Sequence, residues 1–258
     1  MENGIIRKVY EFEWEGSMRT NSEIRRMARA NLTGNFRIPM GAFLFARIVE
    51  SLLMFPFSRT LPVYPTPMQL TVYYLAMFLI LILVNVFVVG ELVIHFSMIR
   101  KQPVTVGMLF YGFKNRPDRF IMGALISFVV TGIWNIPGIV LLKYTYRYGT
   151  MPYVLAVVAA FVIGLAITIV TSLYFALFIY LLVDYPNATL KECFCYAPKM
   201  IKGYKGQLFR MACSFVGMLC LCVLSFGIGF LWVEPYMQQT FALYYLEVKG
   251  ELSFDARV

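Results

Sequence analysis

Five long apolar runs constrain this chain more than any other feature. They cover roughly Ile38–Phe57, Leu70–Met98, Phe120–Leu142, Tyr153–Val183 and Leu208–Val233. A helix needs about 20 residues at about 1.5 Å each to cross a hydrocarbon core. Backbone in lipid finds no water to bond, so each run must satisfy its own amides as a helix. The fourth run is longer than a crossing requires and is expected to tilt or to project into water. The fold class is therefore all-α: a polytopic transmembrane helical bundle of about five spans, or six if one run is split or re-entrant.

Composition agrees. Of 258 residues, 60% are hydrophobic and 14% are charged, against about 25% charged in a typical soluble domain. Mean hydropathy is +0.69. The chain reads as one integral membrane domain over 1–258. It divides into a cytoplasmic N-terminal segment (1–37), a transmembrane bundle (38–233), and a C-terminal amphipathic helix with its tail (234–258). The first apolar run opens near Ile38, too late for a cleavable secretory signal.

Lysine and arginine set the orientation. Arg7, Lys8, Arg19, Arg25, Arg26, Arg29 and Arg37 precede span one. Arg100, Lys101, Lys114, Arg116 and Arg119 follow span two, and Lys191, Lys199, Lys202 and Lys205 follow span four. The opposite side, under five spans, holds Arg59, Lys143, Arg147, Lys249 and Arg257. The positive-inside rule then makes the N-terminus cytoplasmic. Five spans put the C-terminus outside, and six bring it back inside. The net charge of +9 is directed at anionic lipid headgroups rather than nucleic acid, because the basic residues flank the apolar runs.

Three amphipathic segments are expected at the interface. Thr20 and Glu23 fit a capping box that opens a helix through Arg25, Arg26 and Arg29 to about Leu32, with Gly34 as its stop. Ile24, Met27, Ala28 and Leu32 share one face, so the helix is expected to lie on the inner leaflet with Arg25, Arg26, Arg29 and Arg37 at the membrane surface. Pro103–Phe113 is apolar but too short to cross. The third opens at Glu234-Pro235, with Tyr236, Met237, Thr240, Leu243 and Tyr244 as one stripe. The outer loop Ser58–Met68, with Pro62, Pro65 and Pro67, is expected to be extended and stiff.

Several phrases carry a family resemblance. They are Ile24-Arg25-Arg26-Met27-Ala28-Arg29-Ala30-Asn31-Leu32-Thr33-Gly34-Asn35, Leu109-Phe110-Tyr111-Gly112-Phe113, and Trp134-Asn135-Ile136-Pro137-Gly138-Ile139. The longest runs from Met200 to Phe209 (MIKGYKGQLF) and continues through Ser214-Phe215-Val216-Gly217 and Gly227-Ile228-Gly229 to Pro235-Tyr236 and Tyr244-Tyr245. In that order they resemble the bacterial membrane-protein family catalogued as domain of unknown function 975. The resemblance implies a cell-membrane protein, mostly of Gram-positive bacteria, and no activity.

Charged groups inside spans are costly, about 2.5–3.5 kcal/mol on insertion scales, and mark functional candidates. Arg47 and Glu50 fall in span one, and Asn85, Glu91 and His95 in span two. Counted from the cytoplasmic ends, Arg47 and Glu91 lie at nearly equal depth. An Arg47–Glu91 pair is expected, with Glu50 or His95 completing the network. The cluster reads either as a structural clasp or as an ion or proton pathway. Gly123, Ser127, Thr131 and Asn135 recur at steps of four in span three, a stripe that lets a second helix approach closely.

No catalytic residues, cofactor or metal are expected. There is one histidine, no G-x-S-x-G elbow and no P-loop. Cys193/Cys195 and Cys220/Cys222 lack a second metal-spaced pair and read as reduced apolar fillers. The chain is therefore expected to be non-enzymatic: a scaffold or accessory subunit partnered by lipid, another membrane protein or its own copies. The alternative is a small transporter or channel using the charged cluster.

Overall fold

The computed structural model describes residues 18–60, 66–148 and 150–253. Arg7, Lys8, Arg257 and the outer-loop prolines Pro62 and Pro65 lie outside the described residues. Every regular element among the described residues is helical. They are α1 (Asn21–Leu32), α2 (Arg37–Thr60), α3 (Pro67–Ile99), a 3-10 turn (Val106–Phe110), α4 (Tyr111–Lys114), α5 (Pro117–Gly132) and a 3-10 turn (Ile133–Asn135). Then come α6 (Ile136–Tyr148), α7 (Met151–Phe175), α8 (Phe178–Asp184), α9 (Leu190–Met200), α10 (Lys205–Cys213), α11 (Val216–Leu224), α12 (Phe230–Val248) and a last 3-10 turn (Glu251–Ser253).

Five helical stretches are long and apolar enough to cross a membrane: Arg37–Phe57, Met68–Ile99, Pro117–Leu142, Met151–Asp184 and Lys205–Leu224. The first four match the apolar runs of the sequence. The fifth ends nine residues short of Val233 because the chain reverses at Ser225–Gly229. Phe226 and Gly227 both take positive φ, 52° and 89°. Gly227 does so without penalty, and its amide bonds the Cys222 carbonyl at 2.9 Å. Gly229 sits so close to Cys222 that a β-carbon there would lie 3.0 Å from the Cys222 Cα.

From this turn α12 runs back antiparallel to α11 and α10. The Phe215 ring meets Tyr236 at 5.5 Å, and the Tyr244 hydroxyl donates to the Tyr204 carbonyl at 2.8 Å. The C-terminal helix thus starts at Phe230, ahead of Glu234-Pro235, and it is a packed core element. Gln239, Thr240 and Ala242 to Glu247 are all buried. Arg19 pairs with Glu247 at 2.5 Å, so both described ends lie at the same end of the bundle. The returning α12 thus brings the C-terminal segment back beside the N-terminal one.

Exposure divides the bundle lengthwise. Large apolar side chains are exposed along α2 from Leu44 to Phe55, along α3 from Met68 to Leu81, and along α7 from Met151 to Tyr174. Beyond those points burial takes over, along much of Val84–Ile99 on α3 and, after α7, at Leu177, Phe178 and Leu181–Val183. The 33 residues of α3 span about 50 Å, some 20 Å more than a hydrocarbon core. That surplus enters a core built with α1, α8, α9, α10 and α12. We call this half the basic end.

The other two segments expected at the interface pack one face against the bundle. The capping box of α1 forms as read, with the Thr20 amide donating to Glu23 Oε2 at 2.7 Å. Its apolar face, Ile24, Ala28 and Leu32, is fully buried in protein rather than laid on lipid. Val106–Phe113 tucks between α2 and α3. Phe110 and Phe113 pack on Phe87 with ring centroids at 5.9 and 5.0 Å. Gly90 and Gly112 permit the approach: a β-carbon on Gly90 would lie 2.0 Å from the Leu109 carbonyl oxygen, and one on Gly112 2.8 Å from the Val86 oxygen.

Candidate functional site

The intramembrane charges gather where α2, α3 and α12 meet, but not in the expected pairs. Arg47 donates to Glu50 at 2.6 Å, one helical turn away on α2. Among the described residues no ion pair joins Arg47 to Glu91. Equal depth on two helices does not fix azimuth, and the local partner lies closer. Arg47 also stands over the Phe43 ring at 5.6 Å. Glu91 is 5% exposed, and its Oε1 has no hydrogen-bond partner. Two charges act on it through space, Arg47 and Glu234 of α12.

His95 lies one turn on from Glu91 and is likewise buried. Its Nδ1 meets Gln239 Oε1 at 2.5 Å, tying α3 to α12. Gln239 Nε2 is buried without a partner. Gln238 donates to Glu234 at 3.2 Å. The sequence groups Arg47, Glu50, Asn85, Glu91 and His95; Glu234 and Gln239 escape that grouping because they lie on the C-terminal amphipathic helix, outside the apolar runs searched for charge. Three carboxylates, Glu50, Glu91 and Glu234, and one arginine thus meet in this region. A crevice of about 210 Å³ runs beside them, lined in part by Phe43, Glu91, His95 and Glu234, and no part of it is wide enough for a water molecule.

Asn85 does not join this cluster. It donates to the Leu81 carbonyl on its own helix at 2.8 Å and faces a separate crevice shared with Ser127 and Thr131. The span-three stripe therefore serves more than one neighbour. Gly123 abuts α8, where a β-carbon would lie 2.6 Å from Leu182 Cδ1. Asn135 bonds Thr168 Oγ1 at 3.1 Å, and that hydroxyl donates to the Thr131 carbonyl at 3.1 Å. Gly164 of α7 closes the same seam, because a β-carbon there would lie 2.7 Å from the Trp134 oxygen.

A second charged constellation holds the basic end. Asp184 accepts from Arg100 at 2.7 Å, Lys249 at 2.6 Å and the Tyr245 hydroxyl at 2.8 Å. Glu251 accepts from Arg100 at 2.8 Å and from Lys249 at 2.8 Å. Burial alone would raise the Glu251 carboxyl, but hydrogen bonds from Arg100 and Lys249 outweigh it and hold it at about 2. The same contacts raise Arg100 above its ordinary value, Glu251 contributing most. A five-span count sets Arg100 and Lys249 on opposite sides, yet they share two carboxylates. Arg119 is buried and donates to the carbonyls of Tyr185 and Pro186, which fastens α5 to the α8–α9 connection.

The surface basic residues separate as well. Arg26 and Arg29 are exposed, and Arg25 is half-buried. Arg37 lines a cavity with Lys101. Among the described residues no group of three His, Cys, Asp or Glu side chains is placed to hold a metal ion.

These features define a class: an all-α, multi-pass membrane bundle with a packed core at one end and a polar cluster where three helices meet. The chain belongs to the family described as protein of unknown function (DUF975), whose model matches residues 18–251. No curated protein and no solved structure matches it significantly.

Proposed function

We propose that this protein is a non-enzymatic scaffold or accessory subunit of a bacterial cell membrane, with both described ends cytoplasmic. The observation that carries the role is the narrow crevice at Glu91. A conduit for an ion or solute needs a wet path to its charged groups, and the crevice lined by Glu91, His95 and Glu234 is too narrow for a water molecule. Arg47 is matched by Glu50 within α2, and His95 by Gln239 across α3 and α12, so the second bond clasps those two helices. The orientation follows the positive-inside rule. With α12 returning, Lys249 joins the lysine- and arginine-rich side.

A second reading, passage of a proton or cation, is favoured by one observation. Glu91 Oε1 and Gln239 Nε2 are buried without partners, and such groups are retained at a cost. Native mass spectra after gentle extraction from the source membrane separate the two. Recurrent co-purification of one other membrane protein is the expected result. A species that never carries a companion, in any growth condition, would contradict the accessory role.

A further inference from the structure

A cavity lies away from the polar cluster, at the basic end. It holds about 630 Å³ and opens between the α1–α2 junction and the chain that follows α3. That volume falls within the range of about 300–1,000 Å³ typical of small-molecule sites. Arg37 and Lys101 line it, with Asn31, Asn35 and Gln102 beside them, and no carboxylate among the described residues is in the lining. Neither Arg37 nor Lys101 makes an ion pair among the described residues. Arg19, Arg100 and Lys249 each hold carboxylates within 3 Å, whereas Arg37 and Lys101 line one concavity together.

The rest of the lining is apolar: Ile38, Met98, Pro103 and Val104. Depth also fits a lipid. Leu44 is the first exposed large apolar residue on α2, and Arg37 lies about 10 Å further along the helix. That distance takes it from the hydrocarbon boundary into the headgroup layer. The exposed Val106 and Phe110 continue the apolar surface below the cavity.

We propose that this cavity binds the phosphate of an anionic membrane lipid between Arg37 and Lys101, with the glycerol and first acyl carbons against Ile38, Met98 and Val104. Arg37 offers the planar fork that suits phosphate oxygens, and Lys101 supplies a second charge. The N-terminal end of α2 adds a favourable dipole. Arg26 and Arg29 act only through the diffuse surface potential. The inference rests on the membrane-crossing helices and not on the accessory role, so either can fail without the other.

The test uses the purified full chain, delipidated in mild detergent and titrated with phosphatidylglycerol, phosphatidylcholine or inorganic phosphate by native mass spectrometry. Saturable binding of one phosphatidylglycerol is expected. Arg37→Gln with Lys101→Gln should weaken it about tenfold or more, while Arg26→Gln with Arg29→Gln changes it less than about threefold. Equal losses in the two pairs, or equal binding of phosphatidylcholine, would overturn the site. Displacement of the lipid by millimolar inorganic phosphate would overturn the lipid as its occupant. Photo-crosslinking of a diazirine phosphatidylglycerol to the unaltered protein needs no folded variant. Adducts should map to 30–38 or 98–104, and adducts confined elsewhere would refute the proposal.

Discussion

Replacing Gly90 with alanine tests the packing that brings the Val106–Phe110 turn against α3. In an exposed helix the change gains about 0.5–1 kcal/mol, because glycine carries excess backbone entropy. At Gly90 the new methyl would lie 2.0 Å from the Leu109 oxygen and 2.5 Å from its carbonyl carbon. Ordinary contact begins near 3.4 Å, so the Leu109 backbone must retreat by about 1.4 Å. That motion drags Phe110 away from Phe87 and Phe45. Overpacking costs about 1–3 kcal/mol, and backbone cannot rotate aside as a side chain can. We expect a net loss of about 2 kcal/mol, or a fall in Tm of about 4–8 °C. Gly41→Ala in α2 is the control: nothing lies within 4 Å of its β-carbon position, so its Tm should rise slightly. The readout is thermal unfolding in detergent followed by circular dichroism. A rise for both variants would refute the docking of this segment.

Asp184→Asn should lower stability by about 2 kcal/mol in the same assay. It weakens three bonds at a nearly buried carboxylate, but Arg100 and Lys249 keep Glu251. Glu251 makes the basic end acid-sensitive. Its folded value of about 2 lies below its ordinary 4.5, so its stabilisation is complete above about 4.5 and is lost as pH falls toward 2. Melting curves across that window should show the loss, and Glu251→Gln should flatten it. Gly164→Ala should destabilise the α6–α7 hairpin, since its β-carbon would lie 2.7 Å from the Trp134 oxygen. Faster limited proteolysis near residues 143–150 would register it.

The span helices were legible because lipid leaves one solution for a long apolar run. The α1 cap was legible because Thr20 and Glu23 carry it locally. The reversal at Ser225–Gly229 was not read, although Gly227 and Gly229 mark it, because the apolar run continues unbroken through Val233. That oversight concealed the antiparallel course of α12 and hence Glu234, Gln239 and the partners of Lys249. The partners of Arg47 and Glu91 turned on azimuth, which depth counting does not supply. The inward tuck of Val106–Phe113 depends on Gly90 and Gly112 as receiving surfaces, a tertiary match between segments. Asn85 and Glu91 fall on different faces of α3, so one list of intramembrane polar residues became two sites.

The central claim is that the Glu91 cluster is a clasp and not a path. Proteoliposomes loaded with a pH-sensitive dye and placed under imposed proton, sodium or potassium gradients test it most directly. The account predicts that the protein and its Glu91→Gln variant both overlay empty liposomes. Flux above that background in the unaltered protein, abolished by Glu91→Gln in a variant that still folds, would contradict it.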